Sequence, residues 1–130
     1  MATRASTSFT VVLADRNRHI RELLAREFTR EGFTVKDCGL GRDAALLAAT
    51  GADALVVDAD LPDMDVLSVL RLARRERPNL PVIVHAHDTG EAGTSLEEPH
   101  VYFAAKADDP LLLVQTVRGV LNPGTAGAAT

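Results

Sequence analysis

The chain alternates short apolar blocks with longer stretches of helical spacing. Thr10–Ala14 is an apolar run of strand length. Ile20, Leu23, Leu24 and Phe28 then recur at intervals that share one helical face, which predicts an amphipathic helix over 17–31 with Gly32 as its stop. Residues 33–37 alternate weakly and predict a second strand. Residues 41–50 are rich in Ala and Leu and run into Gly51, a second helix. The block 53–58 predicts the central strand. Val66, Val69, Leu70 and Ala73 mark a third helix, with Asp65 as its cap and an end before Pro78. Residues 80–85 and 101–105 predict the fourth and fifth strands. Asp109 followed by Pro110 is a helix start, and Leu113, Val117, Val120 and Leu121 supply that helix with a buried stripe.

Five strands alternating with four clear helices imply a parallel sheet covered on both faces. The interval 86–99, where a fifth helix belongs, contains Gly90, Gly93 and Pro99, and is expected to be short or irregular. One domain over 9–121 is expected, with loose tails at 1–8 and 122–130. The sequence of 130 residues is long enough to bury a core without staples, and 46% hydrophobic content is that of a globular chain. A net charge of -4 offers no general attraction to nucleic acid. The sole cysteine, Cys38, has no partner for an internal disulfide. No apolar run approaches a membrane span, and residues 1–8 are too polar for a signal peptide. These features read as a cytoplasmic domain with no membrane or nucleic-acid partner.

Chemistry concentrates where the predicted strands end. Asp15 follows the first strand, Asp58 closes the third, and Lys106 follows the fifth. Open parallel sheets bind ligands outside the carboxyl ends of their strands, so two carboxylates and an ammonium are expected to converge there.

The segment Asp58-Ala59-Asp60-Leu61-Pro62-Asp63-Met64-Asp65, with a lysine about 48 residues on, resembles the receiver domain of two-component response regulators. Asn17-Arg18-His19-Ile20-Arg21-Glu22-Leu23-Leu24 is similar to the first helix of that family. The resemblance spans residues 9–121. It implies a flavodoxin-like, doubly wound α/β fold with strand order 2-1-3-4-5. It implies a phosphorelay role, with Asp58 taking a phosphoryl group from a histidine kinase or phosphotransfer protein and Lys106 contacting that group. It implies Mg2+ held by Asp15, Asp58 and the backbone carbonyl of Asp60. A carboxylate attacking an anionic phosphate needs a hard cation and an ammonium to offset developing charge. The resemblance also places a switch at Ala86 and Phe103, and a homodimer surface on the fifth strand and last helix, where Leu111-Leu112-Leu113-Val114 leaves Leu112 part-exposed.

Four positions depart from the family. Arg16 stands where a second acid is usual, so Mg2+ binding is expected to be weak or absent. Ala86 replaces a Ser or Thr, His87 replaces a small residue, and Ala107 replaces a proline, so that the peptide after Lys106 is expected to be trans. Plainer readings stand beside these. Asp15 could be a turn acid, Asp58 a loop-satisfied acid and Lys106 a solvated strand-end lysine. Arg16 reads as a surface arginine or as a built-in cation. His85 and His87 read as a metal pair, or His85 as a satisfied core histidine with His87 a bulky ring at the mouth of the site. Cys38 reads as an inert small residue, and Arg18, Arg21, Arg26 and Arg30 as a solvated face or a site for an acidic partner. The functions in play are a phosphoacceptor receiver, a phosphorylation-independent pseudo-receiver that works by binding, and, remotely, a phosphatase suggested by the Asp58-Ala59-Asp60 spacing. The reading is a signalling module and not an enzyme.

Overall fold

In the computed structural model, which describes residues 8–87 and 98–123, strand and helix alternate in the predicted order. The elements are β1 (Thr10–Ala14), α1 (Arg18–Arg30), β2 (Thr34–Cys38), α2 (Gly41–Ala49), β3 (Ala54–Asp58), α3 (Val66–Glu76), β4 (Val82–Ala86), β5 (Val101–Ala105) and α4 (Pro110–Leu121). The strands form one parallel sheet in the order β2-β1-β3-β4-β5. The chain direction reverses its spread between β1 and β3, which places the ends of those two strands beside each other.

Alternation along each strand divides the core in two. Val12, Ala14, Leu55, Val57, Val82 and Val84 face α2 and α3 with Ala44, Ala48, Val69, Leu70 and Ala73. Val11, Leu13, Ala54, Val56, Ile83 and Ala104 face α1 and α4 with Leu24, Phe28, Leu113, Val114 and Val117. Phe28 and Phe33 meet edge to face at 5.2 Å on this second side.

Local chemistry sets the boundaries. Asn17 caps α1 by accepting from the N–H groups of His19 and Ile20, Asp65 caps α3 through Ser68, and Asp109 caps α4 with Pro110 in its first turn. Gly32 and Gly51 follow α1 and α2 with φ of 97° and 122°, the left-handed region glycine enters without penalty.

Several expectations need correcting. Strand β2 begins one residue later than predicted, because the Phe33 N–H closes the end of α1 on Phe28 O. Strand β3 begins at Ala54 because Asp53 is spent on Thr10, with both its N–H and its carboxylate bonded there. Strand β4 starts at Val82, since the Leu80 N–H turns back to Arg77 O. Ile20 and Leu23, expected in the core, remain 40% and 42% exposed, and Leu24 and Phe28 alone carry the buried face of α1. On α4, Val114 joins Leu113 and Val117 in the core, while Val120 and Leu121 are half-buried at its edge. The irregular helix expected within 86–99 falls largely outside the described residues, as do most of the two tails.

Candidate functional site

Strand register builds the site. Leu13 lies opposite Val56, and Asp58 lies opposite His85, which lies opposite Ala104. Asp15, Asp58 and His85 therefore fall on the sheet face that α1 and α4 cover, one step beyond the buried row Leu13, Val56 and Ile83. Lys106 continues the alternation of β5 past Ala104, and its N–H bonds Ala86 O at 2.8 Å. Full burial of Leu55, Val56 and Val57 is worth roughly 1.5–3 kcal/mol each and carries Asp58 inward with the strand.

Asp58 is 0% exposed, so its charge requires partners. Lys106 Nζ donates to Oδ1 at 2.7 Å, and the Asp60 N–H donates to the same oxygen at 3.0 Å. The Arg16 N–H donates to Oδ2 at 3.2 Å. Burial alone would raise the pKa of Asp58, but the Lys106 bond, the two N–H groups and the Lys106 charge outweigh it, and the carboxyl sits below its ordinary range. Asp15, 2% exposed, shifts the other way. Desolvation and the neighbouring Asp58 charge raise it, against the opposing pull of the Asn17 N–H, Lys106 and Arg21. Its Oδ1 accepts from the Asn17 N–H at 2.8 Å, an Asx turn into α1.

Asp15, Arg16, Asp60, His85, His87 and Lys106 border a cleft of about 690 Å³ above these strand ends, and Ile20, Leu23 and Leu112 form its apolar side. Leu112 is 52% exposed, as the run of apolar residues predicted, and it stands beside the exposed Ile20 and Leu23 of α1. The Arg16 side chain is exposed and makes no ion pair among the described residues.

Other predicted positions resolve as follows. His85 is buried, and desolvation followed by the Lys106 charge pushes its pKa down to about 4, against the pull of Asp58; it is a neutral ring in the core. His87 is exposed at the cleft, and among the described residues no three His, Cys, Asp or Glu groups are placed to hold a metal. Ala86 is buried and Phe103 half-buried, the latter packed on the α2–α3 side. No described peptide is cis, so the bond after Lys106 is trans. Burial pushes the Cys38 thiol up to about 11, which leaves it unreactive.

Two contributors escaped the sequence reading. Arg21 is no solvated arginine: its Nη1 donates to Asp15 O at 2.9 Å and its Nε pairs with Asp37 at 3.2 Å. Helical side chains lean toward the N-terminus, so a residue one turn past the Asn17 cap was placed to do this. Asp63 accepts from the N–H groups of Gly41 at 2.7 Å and Arg42 at 3.1 Å, capping α2 from 22 residues away, and no local signal announces it.

The family model described as response regulator receiver domain matches residues 11–118. The response regulator MprA of Mycolicibacterium vanbaalenii is 33% identical over 102 residues, covering 78% of this chain and 42% of that protein. MprA of Mycobacterium ulcerans is also 33% identical, over 80% of this chain and 43% of its own length. A receiver protein from Sinorhizobium medicae superposes with a TM-score of 0.77 at 25% identity, covering 90% of this chain and 97% of that one. The response regulator TrrA of Thermotoga maritima, solved in complex with Mg2+-BeF, shares the fold with a TM-score of 0.76 at 19% identity, over 86% of this chain and 98% of its own. The chain belongs to the response regulator receiver domain family, the signal-transduction modules of two-component systems. It spans less than half the length of the MprA proteins it matches.

Mg2+ wants near-octahedral oxygen ligands. The side chains at this edge are Asp15, which accepts the Asn17 N–H on Oδ1, the exposed Asp60, and Asp58, whose two oxygens are already engaged by the Lys106 ammonium and the Asp60 and Arg16 N–H groups. As arranged, these residues do not make a fitting set for a divalent cation.

Proposed function

We propose that this domain accepts a phosphoryl group on Asp58 from a histidine kinase or phosphotransfer protein in the cytoplasm, and answers through protein contact. The observation that supports this most is the unequal use of the two Asp58 oxygens. Oδ1 is held by Lys106 and the Asp60 N–H, whereas Oδ2 takes a single longer bond from the Arg16 N–H. Oδ2 is the nucleophile, and Lys106 stays on hand as a point charge for the transferred group. Ala86 has no hydroxyl to grasp that group, so the pairing of residues 86 and 103 does not carry the signal. Output instead arises around Arg16, Asp60 and Lys106, the residues that separate Asp58 from the cleft. An added homodimer surface on β5 and α4 is tested by sedimentation: Leu112→Glu converts a dimer to monomer, and a monomeric wild type rejects it.

The second reading is a phosphorylation-independent binding module. What favours it is the complete burial of Asp58, which leaves a donor no open path without movement of Lys106 or the Arg16 turn. Intact-mass measurement after incubation with acetyl phosphate, with and without Mg2+, separates the two. A phosphoryl adduct that vanishes in Asp58→Asn supports the acceptor reading. Its absence under every condition favours the binding module.

A further inference from the structure

We infer that Arg16 is a phosphoryl-binding residue that takes the place of a divalent cation, so that Asp58 is phosphorylated without metal. This rests on the acceptor reading above. The charges in the site carry the inference. Beside Asp58, the buried Asp15 carboxylate is matched by the Lys106 ammonium and the Arg16 guanidinium at the cleft. Asp60 and Asp108 at the cleft are exposed to water, and Asp109 is committed to capping α4. A divalent cation entering beside Asp15 and Asp58 would meet two carboxylates already bonded to N–H groups, with the Lys106 ammonium fixed on one of them. A phosphoryl dianion meets the opposite situation, with the Lys106 ammonium at one Asp58 oxygen and the Arg16 residue rooted at the other.

The geometry fits that role. The Arg16 backbone nitrogen is 3.2 Å from Asp58 Oδ2, so the flexible stem that carries the guanidinium is rooted at the attacking oxygen. The side chain is exposed on the cleft and engaged with no acid among the described residues. Lys106 approaches from Oδ1 on the other side. A planar guanidinium matches two phosphoryl oxygens at once, which an ammonium does not. In the transfer, Asp58 Oδ2 forms a bond to phosphorus while the bond from phosphorus to the leaving acetate of acetyl phosphate breaks. The acetate departs with the electron pair, no proton moves, and total charge is unchanged. Arg16 and Lys106 hold the equatorial oxygens, where charge spreads in a loose transition state.

The test uses the whole chain with acetyl phosphate in EDTA or in Mg2+, followed by intact mass. The adduct forms on Asp58 in EDTA, at a rate Mg2+ leaves within about twofold, and Arg16→Gln slows it by about tenfold or more in both conditions. Arg16→Asp loses the reaction in EDTA and regains it with Mg2+. Amide shifts near Asp58 during Mg2+ titration give a second readout: wild type stays unmoved at millimolar metal, and Arg16→Asp binds. Phosphorylation of wild type only with Mg2+, or Mg2+ binding beside Asp58, overturns the inference and leaves the acceptor reading standing. An Arg16→Gln variant that reacts at the wild-type rate in EDTA overturns the role of Arg16 alone. No adduct in any condition overturns both.

Discussion

Replacing His85 by leucine should remove most of the acid sensitivity of this domain between neutral pH and about pH 4.5. His85 is 6% exposed at the end of β4, and its pKa falls from 6.5 to about 4. The groups acting on it are the buried surroundings first, then Lys106 and His87, which disfavour its proton, and Asp58, which favours it. The sign follows from which state takes up protons. Between 6.5 and about 4 the unfolded chain protonates this ring and the folded one does not, so stability is present at neutral pH and lost as pH falls. At pH 4.5 the linkage amounts to about 2.5 kcal/mol, and near pH 7 it is close to zero. Urea denaturation of wild type and His85→Leu at both values measures the difference. The variant should lose about 2.5 kcal/mol less than wild type on acidification. Parallel losses in the two proteins, or an NMR titration of His85 near its ordinary value, would refute the reasoning.

Three further outcomes are expected. Lys106→Met strands a buried carboxylate that keeps two N–H bonds, and should cost about 2–4 kcal/mol near pH 7; Asp58→Asn in the same chain should restore most of it, and a cost below about 1 kcal/mol for the single change would contradict the burial of the pair. Asp15→Asn keeps an acceptor for the Asn17 N–H and should stabilise the fold at neutral pH; since the raised pKa of Asp15 means stability lost as pH climbs through it, the gain should vanish below 3.8, and urea midpoints across pH would expose the wrong sign. Gly41→Ala should destabilise by about 1–3 kcal/mol, because the added Cβ would lie 2.5 Å from Met64 Cγ and 2.8 Å from Val69 Cγ2, and an unchanged thermal midpoint would show that Met64 yields freely.

Strand and helix order, the parallel sheet, the caps at Asp65 and Asp109, and the convergence of Asp15, Asp58 and Lys106 were legible in the residues. Each rests on local information: apolar period, capping chemistry, and the rule that parallel strands end on one side. The clustering of Asp15 and Asp58 needed only one nonlocal premise, the switch between β1 and β3. What the tertiary structure decided was how each group is paired. Nothing near Arg21 in the chain indicates Asp37 as its partner, and nothing near Asp63 indicates that it caps Gly41 and Arg42. The unequal engagement of the two Asp58 oxygens comes from three separate loops meeting at one strand end. Ile20 and Leu23 carry the period of a buried face yet stay exposed along the cleft, because only Leu24 and Phe28 of α1 reach the core shared with the sheet and α4. Periodicity is a property of one segment and is written in its sequence; pairing, burial and the resulting shifts in acidity are properties of several segments together, and exist only once the sheet has brought their ends within bonding distance.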